Sequence, residues 1–415
     1  MKILVIGNGF DLEHELPTNY IDFLRYIKRI RIIKDYSKDD SQKVYIEKLL
    51  ENDETFKEYA LRNFTSGIEN KRIEELINLC NNNDWIKYFE EANSNENKGW
   101  IDFEGEISHV IRSLDYMKKY RHETISKKEV NINKNKDYND TEKRIERITG
   151  VLPRRIEFLN KDEYNQKITK KLQENLENLI RCLELYLEDY VAKKDINYIS
   201  PDIKGIQFDK VLSFNYTNTY ERIYGFNSSD IEYHYIHGKA DIDRTADDNN
   251  MVLGIDEYLD NEVKNKELEF IAFKKYFQRI YKKTGNTYKK WIKKINEAES
   301  ERLEREEIER RNIIQAPTGV KRTAIRERID KAKRNSENEI YIFGHSLDIT
   351  DKDILKELIE CPNTITTIFY YNKGVYAQQI ANLVKVIGQD ELIQRVSGAN
   401  PTIIFKQQQQ KNEIK

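Results

Sequence analysis

The chain has 415 residues, of which 38% are hydrophobic and 34% charged, as is typical of a folded protein with a large charged surface. Its 70 basic and 72 acidic residues nearly cancel, and a net charge of -2 excludes an overall field that attracts nucleic acid, though not local basic patches. No apolar run approaches the ~18 residues of a membrane span, and the run Met1–Ile6 is too short for a signal peptide. We therefore expect a cytoplasmic protein without a membrane or nucleic-acid partner.

Short β-branched or aromatic runs bounded by polar turns predict seven strands. Because helical patterns separate most of them, they favour a parallel sheet that is covered on both faces. In chain order the predicted strands are Lys2–Ile6, Phe208–Phe214, Ile231–Ile236, Met251–Leu253, Glu339–Phe343, Thr364–Tyr371 and Thr402–Phe405.

Two charged, helix-rich blocks lie between the strands, at about 20–192 and 260–334. The polar segment 126–139 within the first block predicts an exposed loop, and 295–311 predicts a solvated helix with i,i+4 ion pairs. Basic pairs at Lys274-Lys275, Lys282-Lys283 and Lys289-Lys290 suit either nucleic acid or, as we favour, a charged helical face.

These patterns predict a discontinuous domain organisation. Residues 1–24, 200–259 and 336–406 would form a nucleotide-binding α/β core. Residues 25–199 would form a helical insertion, and 260–335 a second, charged helical insertion. The glutamine-rich end, 407–415, would be a disordered tail.

The sharpest local pattern is the turn Gly7-Asn8-Gly9-Phe10-Asp11, which directly follows the first strand. Glycines at such a turn let the backbone approach a phosphate, and the amides that begin the next helix favour the anion. The full G-x-G-x-x-G pattern is absent because position 12 is leucine. The turn alone fits a phosphate site and a ligand-free tight turn equally well.

Polar residues follow three further strands. Asn215 and Thr217 come after the second, and they suit either contacts to a ribose or capping of the helix that begins near Tyr220. His237 precedes Gly238, as expected of an exposed loop, while His234 would point to the opposite strand face, which argues against a zinc pair.

The last of these turns contains Gly344 and Ser346, and Ser346 suits a contact to ribose or phosphate. We interpret Asp351 and Asp353 behind it as N-terminal helix caps. In a doubly wound sheet the carboxyl ends of the strands converge, so all these turns are expected to line one ligand site.

The motifs together resemble the AbiH family of bacteriophage abortive infection proteins, and the resemblance spans nearly the whole chain. What it implies is antiviral defence, with a phage-encoded trigger and a homo-oligomer or partner defence protein as expected partners. The segments that carry it are 4–12, 16–23, Trp100-Ile101-Asp102-Phe103-Glu104, Phe214-Asn215-Tyr216-Thr217, Ile236-His237-Gly238 and Phe343-Gly344-His345-Ser346-Leu347.

A more distant resemblance is to sirtuin-like domains, whose defence versions cleave NAD. Pro17 lies eight residues after Gly9, and Asn215, His237-Gly238 and Gly344 with Ser346 follow in the expected order. The resemblance implies a Rossmann-like core. The four-cysteine zinc module of sirtuin deacetylases is absent, since Cys80, Cys182 and Cys361 form no CxxC pair.

The resemblance implies hydrolysis of the nicotinamide–ribose bond of NAD, which is then the substrate, without a metal. Asn215 would position the attacking water or the ribose, and His237 would contact ribose hydroxyls and accept a proton. The pyrophosphate would lie at Gly7 and Gly9, and the adenosine ribose at Ser346. Asp11 would cap the first helix or touch a ribose. The predicted binding residues are Gly7, Asn8, Gly9, Phe10, Asp11, Thr217, Gly344 and Ser346.

Two other hypotheses stay open. The same core would serve as a nucleotide-binding sensor or scaffold whose helical blocks bind a partner. A metal-dependent nuclease or phosphoesterase would instead use Asp11, Asp102 and Glu104 to hold Mg²⁺.

Overall fold

The structure is a computed structural model of the chain. It describes residues 1–36, 47–48, 50–51, 53–64, 70–96, 101–126, 136–150, 161–225, 230–260, 262–315, 319–335, 337–398 and 400–409. The chain divides into two compact units. The sheet unit comprises Met1–Leu16, Ile196–Gly238 and Thr284–Lys415, and the helical unit comprises Pro17–Asp195 and Lys239–Lys283.

A six-stranded, all-parallel sheet forms the centre of the sheet unit and confirms the predicted α/β, Rossmann-like class. The strand order is β3-β2-β1-β4-β5-β6, as in doubly wound folds, so the chain reverses its direction of sheet growth between β1 and β4. The strands are β1 (Lys2–Ile6), β2 (Lys210–Ser213), β3 (Glu232–Tyr235), β4 (Asn338–Phe343), β5 (Thr364–Tyr370) and β6 (Ile403–Gln407).

The central strand β1 is apolar along its length because helices cover both faces of the sheet. Ile3 and Val5 belong to the hydrophobic cluster on one face, and Leu4 and Ile6 to the cluster on the other, as the two-residue period of a strand requires. Val5 is in register with Leu212 of β2 and Ile342 of β4.

The helices of the sheet unit cover its two faces and close its turns. One cluster gains Leu355 and Leu383 from two of them, and the other gains Phe10 and Tyr220. Their bounds are Asn8–Glu13, Thr219–Tyr224, Thr287–Gln315, Gly319–Asn335, Lys352–Ile359, Lys373–Ile387 and Gln389–Val396, with a 3-10 turn at Ile349–Asp351.

The helical unit is held together by a large aromatic and aliphatic core. Phe103 stacks on Phe89 with ring centroids 4.0 Å apart, and Tyr186 packs between Phe23 and Tyr26. Its helices are Tyr20–Tyr36, Glu54–Phe64, Lys71–Asn81, Asp84–Glu96, Phe103–Ser126, Lys136–Thr149, Lys161–Asp189 and Lys275–Tyr281, with 3-10 turns at Val191–Lys193 and Ile271–Phe273.

The strand predicted at Met251–Leu253 is wrong. This apolar run is fully buried but irregular, because the side-chain amide of Gln278 replaces a partner strand. Gln278 accepts a hydrogen bond from the Leu253 amide and donates one to the Leu253 carbonyl, each over 3.0 Å.

Two predictions of disorder or loop are wrong where the structure describes the chain. Ser126 ends one helix and residues 136–139 begin another, while 127–135 of the predicted loop lie outside the described residues. Gln407 ends β6, and the amides of Gln408 and Gln409 donate to the Tyr370 carbonyl and the Asp202 carboxylate. Residues 410–415 of the predicted tail lie outside the described residues.

The two units divide the chain differently from the predicted domains. Residues 239–259 belong to the helical unit, and the helix Thr287–Gln315 belongs to the sheet unit. That helix joins the sheet through Tyr288, Trp291 and Ile295, all buried in the hydrophobic cluster of β1 and β4. The predicted i,i+4 ion pairs are present farther along it, as between Arg310 and Glu306.

Three of the four lysines at 274–275 and 282–283 have buried side chains, and only Lys283 is exposed. Lys274, Lys275 and Lys282 have side chains that are at most 4% exposed. Each ammonium group is paired with a glutamate of the helical unit, which are Glu257, Glu104 and Glu177 in turn. Among the described residues, no helix is both long and apolar enough to cross a membrane.

Candidate functional site

The predicted polar turns share one edge of the sheet. Strands β1, β2, β3 and β4 are parallel neighbours, so Gly7, Asn215, His237 and Gly344 all follow the carboxyl ends of adjoining strands. The turns after β1 and β4 flank the point where the strand order reverses, which is where doubly wound sheets bind ligands.

The three glycines of the first and last turns interlock. The Gly9 amide donates to the Gly344 carbonyl over 2.8 Å, and a Cβ on Gly344 would lie 2.1 Å from the Phe10 nitrogen. Gly344 also has φ +68°, a conformation that favours glycine. A Cβ on Gly7 would lie 2.8 Å from the Gly344 carbonyl oxygen. Glycine is therefore needed here so that two turns can touch.

This interlock uses amides that were expected to approach a phosphate. The Gly9 amide is bonded to Gly344, the Phe10 amide donates to the Gly7 carbonyl over 2.9 Å, and the Gly7 amide donates to the Phe343 carbonyl. Asn8 is exposed at the same turn. A ligand at this edge would therefore meet the Asn8 side chain rather than a cradle of vacant amides.

Asn215 fastens the turn after β2 to the turn after β1. It is buried, and its side-chain Nδ2 donates to the Gly7 carbonyl over 3.0 Å. Its backbone is fixed by Ser213, whose hydroxyl accepts from the Asn215 amide. The bond fixes the amide group in orientation and leaves Oδ1 as the atom suited to accept a hydrogen bond from a ligand.

Asp11 is a buried carboxylic acid beside this brace. Thr217 donates to its Oδ2 over 2.5 Å, and Thr219 in turn donates to the Thr217 hydroxyl. Among the described residues, Oδ1 has no partner with good hydrogen-bond geometry. Burial raises the pKa of Asp11 to about 6, although hydrogen bonds from Thr217, Thr219 and Asn215 and the charge of Arg222 oppose the shift.

Asp11 does not cap the first helix, whose N-cap residue is Gly7. Its side chain bonds to Thr217 instead, and the predicted contact to a ribose stays a prediction. The same hydrogen bond to Asp11 fixes the hydroxyl of Thr217.

His237 lies in a buried cluster, so the expected exposed loop is wrong. Its ring is 4% exposed, and Nε2 lies 3.1 Å from Oδ1 of Asp351. The other oxygen of Asp351 lies 3.6 Å from Nε2 of His345. One carboxylate therefore bridges two histidines that follow different strands.

The cap predicted for Asp351 is wrong as well. Asp351 occupies the N-cap position of the helix Lys352–Ile359, but its side chain makes no capping hydrogen bond and turns to the histidines. Asp353, in the first turn of that helix, is exposed.

The tautomer of neutral His345 follows from its surroundings. Its Nδ1 accepts from the Leu347 amide over 2.9 Å, so Nε2 carries the proton and faces Asp351. Leu347 has φ +59°, an unfavourable conformation for a leucine. Phe214 packs edge-on against both imidazoles, at 4.3 Å from His345 and 5.5 Å from His237. Backbone strain and ring packing thus hold the cluster in one arrangement.

The structure does not place every predicted residue in this cluster. Ser346 is exposed, and its carbonyl accepts a hydrogen bond from Asn382. His234 is buried elsewhere, stacked on Tyr288, which agrees with discounting a His234–His237 pair.

Sequence reasoning missed His345 and Asp351 as site residues. His345 stands next to a glycine at the end of a strand, as His237 does, and that shared pattern was the available signal. Asp351 carried no such signal, because an acidic residue before a helix is ordinarily a cap.

The described residues contain no group of three or more His, Cys, Asp or Glu side chains placed to hold a metal ion. Glu104, a residue of the nuclease hypothesis, is paired at 2.8 Å with Lys275. A groove of about 740 Å³ lies along the helix Thr287–Gln315 and is lined by residues of that helix and Glu357, not by the predicted site.

Fold and site together define a Rossmann-like α/β protein with a buried His237–Asp351 pair and a buried Asn215 that follow adjoining strands at one edge of the sheet. The sequence model of the bacteriophage abortive infection AbiH family matches residues 3–371, so the chain belongs to the AbiH family and has a role in abortive infection. No curated protein and no solved structure matches the chain. The sirtuin-like resemblance has no support among these comparisons and stays an interpretation.

Proposed function

We propose that this AbiH protein acts in abortive infection by hydrolysing the nicotinamide–ribose bond of NAD. The observation that carries the proposal is the buried His237–Asp351 pair, which lies at the same sheet edge as Asn215 and the point of strand reversal. Cleavage of this bond creates an oxocarbenium-like ribosyl centre. The reaction therefore needs an oriented base and preorganised polarity rather than a strong nucleophile.

His237 would be the general base of the reaction. When ionised Asp351 accepts the proton of Nε2, Nδ1 becomes the basic nitrogen of the neutral ring, ready to take a proton from water. Asp351 is a positioning residue in this scheme, and His345 holds Asp351 from its other side. Oδ1 of Asn215 would orient the water or the ribose, since Nδ2 is bonded to Gly7.

The remaining predicted residues would bind the substrate. Asn8 and Ser346 are exposed and would contact the pyrophosphate and the adenosine ribose. Asp11 and Thr217 would accept hydrogen bonds from ribose hydroxyls, since the Thr217 hydroxyl already donates to Asp11. Partial protonation of Asp11, whose pKa is raised to about 6, would lessen repulsion of the phosphates. Gly7, Gly9, Gly344 and Phe10 would shape the floor of this site through their interlock.

The test is nicotinamide release from NAD by the purified full-length protein, sampled with and without lysate of phage-infected cells. We expect His237→Ala and Asp351→Asn to lower turnover by about 10²- to 10⁴-fold, the usual value of a general base. Asp353→Asn is the matched control, because it removes an exposed aspartate two residues away, and it should release nicotinamide as the wild type does.

Thermal unfolding of each variant shows whether the fold is kept. Release that is equal in Asp351→Asn and the wild type would contradict the proposed base. Calorimetry separates the sensor hypothesis, since tight ADP-ribose or NAD binding without any turnover in either condition would favour a sensor instead.

A further inference from the structure

The helical unit brings two distant cysteines into contact. Cys80 and Cys182 are 102 residues apart in the sequence, yet the Cys80 thiol donates to the Cys182 sulfur over 3.3 Å. Both side chains are buried, and both are free thiols. The residues proposed for NAD hydrolysis all belong to the sheet unit, so this pair has no part in that reaction.

Two helices hold the sulfurs in place. Cys80 lies in the last turn of the helix Lys71–Asn81, Cys182 lies within the helix Lys161–Asp189, and the two helices pack against each other. A disulfide bond is about 2.05 Å long, so the sulfurs need to move only about 1.2 Å closer to form one. Small shifts of the two side chains provide an approach of this size.

A guanidinium group lies beside the pair. Nη2 of Arg31 donates to the Cys80 carbonyl over 2.9 Å, while Nη1 donates to Glu90 over 2.8 Å. Burial raises the pKa of the Cys182 thiol well above its ordinary value, and the charge of Arg31 opposes that shift. The thiolate is the reactive form of a cysteine, and a neighbouring cation favours it. We therefore expect the pair to react slowly but with help from Arg31.

Cys80 is the member of the pair that a small oxidant reaches first. Its side chain is buried, but Asn81 and Asn82 directly after it are exposed, and the helix ends there. The end of a helix opens locally more readily than its interior, where Cys182 lies. Such an opening gives a peroxide access to the Cys80 sulfur while the rest of the helix stays folded.

We propose that Cys80 and Cys182 form a reversible disulfide when hydrogen peroxide oxidises them, and that this bond fastens their two helices together. The Cys80 thiolate attacks a peroxide oxygen, so an S–O bond forms, the O–O bond breaks and hydroxide leaves. The Cys182 sulfur then loses its proton and attacks the Cys80 sulfur, so the S–S bond forms and a second hydroxide leaves. The two thiol protons convert both hydroxides to water, and the peroxide has accepted two electrons from the two sulfurs.

The third cysteine is an internal control. Cys361 is buried in the sheet unit, and burial raises its pKa to about 11. Its thiol donates to the Glu357 carbonyl over 3.3 Å, so its hydrogen-bond partner is a carbonyl and not a second sulfur. Oxidation to a disulfide is therefore expected at Cys80 and Cys182 and not at Cys361.

The experiment treats the folded full-length protein with hydrogen peroxide, alkylates the remaining thiols in denaturant and maps the peptides by mass spectrometry. We expect one cross-linked peptide pair, which joins Cys80 to Cys182, and an alkylated Cys361. Reduction by dithiothreitol should return all three cysteines to the alkylated form. Because the disulfide closes a long loop, the oxidised protein should have a Tm at least about 5 °C higher than the reduced protein.

The matched control is Cys361→Ser, which removes a buried thiol outside the pair and should keep both the cross-link and the rise in Tm. Cys80→Ser and Cys182→Ser should each lose both, and their Tm in dithiothreitol shows whether they fold. Wild-type protein oxidised in guanidinium chloride should instead give all three cysteine pairings, because the folded contact is lost.

Three results for the folded wild-type protein would each overturn the proposal. The first is that Cys80 and Cys182 both remain open to alkylation after the peroxide treatment. The second is oxidation of Cys80 to a sulfinic acid without a cross-link. The third is a cross-link that leaves the Tm unchanged, because the bond would then not fasten the two helices.

Discussion

Glu257 and Glu184 of the helical unit and Asp11 of the sheet unit differ in the groups that contact their carboxylates. In the helical unit the ammonium group of Lys274 lies 2.8 Å from both carboxylate oxygens of Glu257, and Arg181 lies 2.7 Å from Glu184. At the sheet edge Asp11 is buried as Glu184 is, but its hydrogen-bond donors are the neutral side chains of Thr217, Thr219 and Asn215. One unit places a cation against each of these carboxylates, and the other leaves Asp11 in contact with neutral groups.

The pKa values follow burial as well as pairing, since burial raises the pKa of Glu184 in spite of Arg181. Burial alone would raise the pKa of Glu257, but the hydrogen bond and charge of Lys274 lower it below its ordinary value. The pKa of Asp11 is raised to about 6 because burial outweighs its hydrogen bonds. A carboxyl group held without a cation near neutral pH is costly for folding and characteristic of functional sites. The contrast teaches that a buried carboxyl group points to a functional site only where no cation lies at contact distance from it.

The largest effect is expected where a compensated charge loses its partner. Arg181→Met leaves the fully buried Glu184 without its Arg181 partner, so we expect a loss of about 3–5 kcal/mol in the free energy of unfolding. Guanidinium denaturation at pH 8 measures it. The double variant Arg181→Met/Glu184→Leu should recover most of the loss, and equal losses in both variants would contradict the explanation.

A smaller effect of opposite sign is expected at Asp11. Its folded pKa of about 6 exceeds the ordinary 3.8, so its contribution to stability is present below pH 3.8 and is lost as the pH rises through 6. Asp11→Asn keeps an acceptor for Thr217 without a charge. It should raise the free energy of unfolding by about 1–3 kcal/mol at pH 8 and much less at pH 4.5, as measured by urea denaturation. Destabilisation at pH 8 would show that the carboxylate is compensated after all.

The smallest effect is expected for a pair that is compensated but exposed. Lys289 and Glu357 are 3.0 Å apart, with side chains 53% and 39% exposed. Lys289→Met should change the free energy of unfolding by less than about 1 kcal/mol in the same urea experiment, because water screens the pair. A loss as large as that of Arg181→Met would mean that burial does not govern the contrast.

The sheet was largely predictable because its strands are local, apolar runs. Six of the seven predicted strands are present, and the glycine turns and Asn215 follow their carboxyl ends as expected. Met251–Leu253 was mistaken for a strand because an apolar run does not reveal whether its amides meet another strand or the side chain of Gln278.

The site was predictable only in part, because its contacts join distant segments. His237 was found from its local pattern, but its partner Asp351 lies 114 residues away and imitates a helix cap. The role of Gly344 in the interlock could not be predicted from the sequence either, because the atom nearest to an added Cβ belongs to Phe10. Charge pairs in the helical unit are equally hard to predict because their members lie far apart in the sequence, as Lys275 and Glu104 do.

The order of synthesis determines when the contacts at this edge of the sheet can form. Asn215 must reach back 208 residues to the Gly7 carbonyl, and His237 must wait for Asp351. The central strand is made first, yet both of its partner strands come more than 200 residues later. Folding of the edge is thus delayed until most of the chain has left the ribosome. A chain that ends before Asp351 therefore cannot form the His237–Asp351 pair.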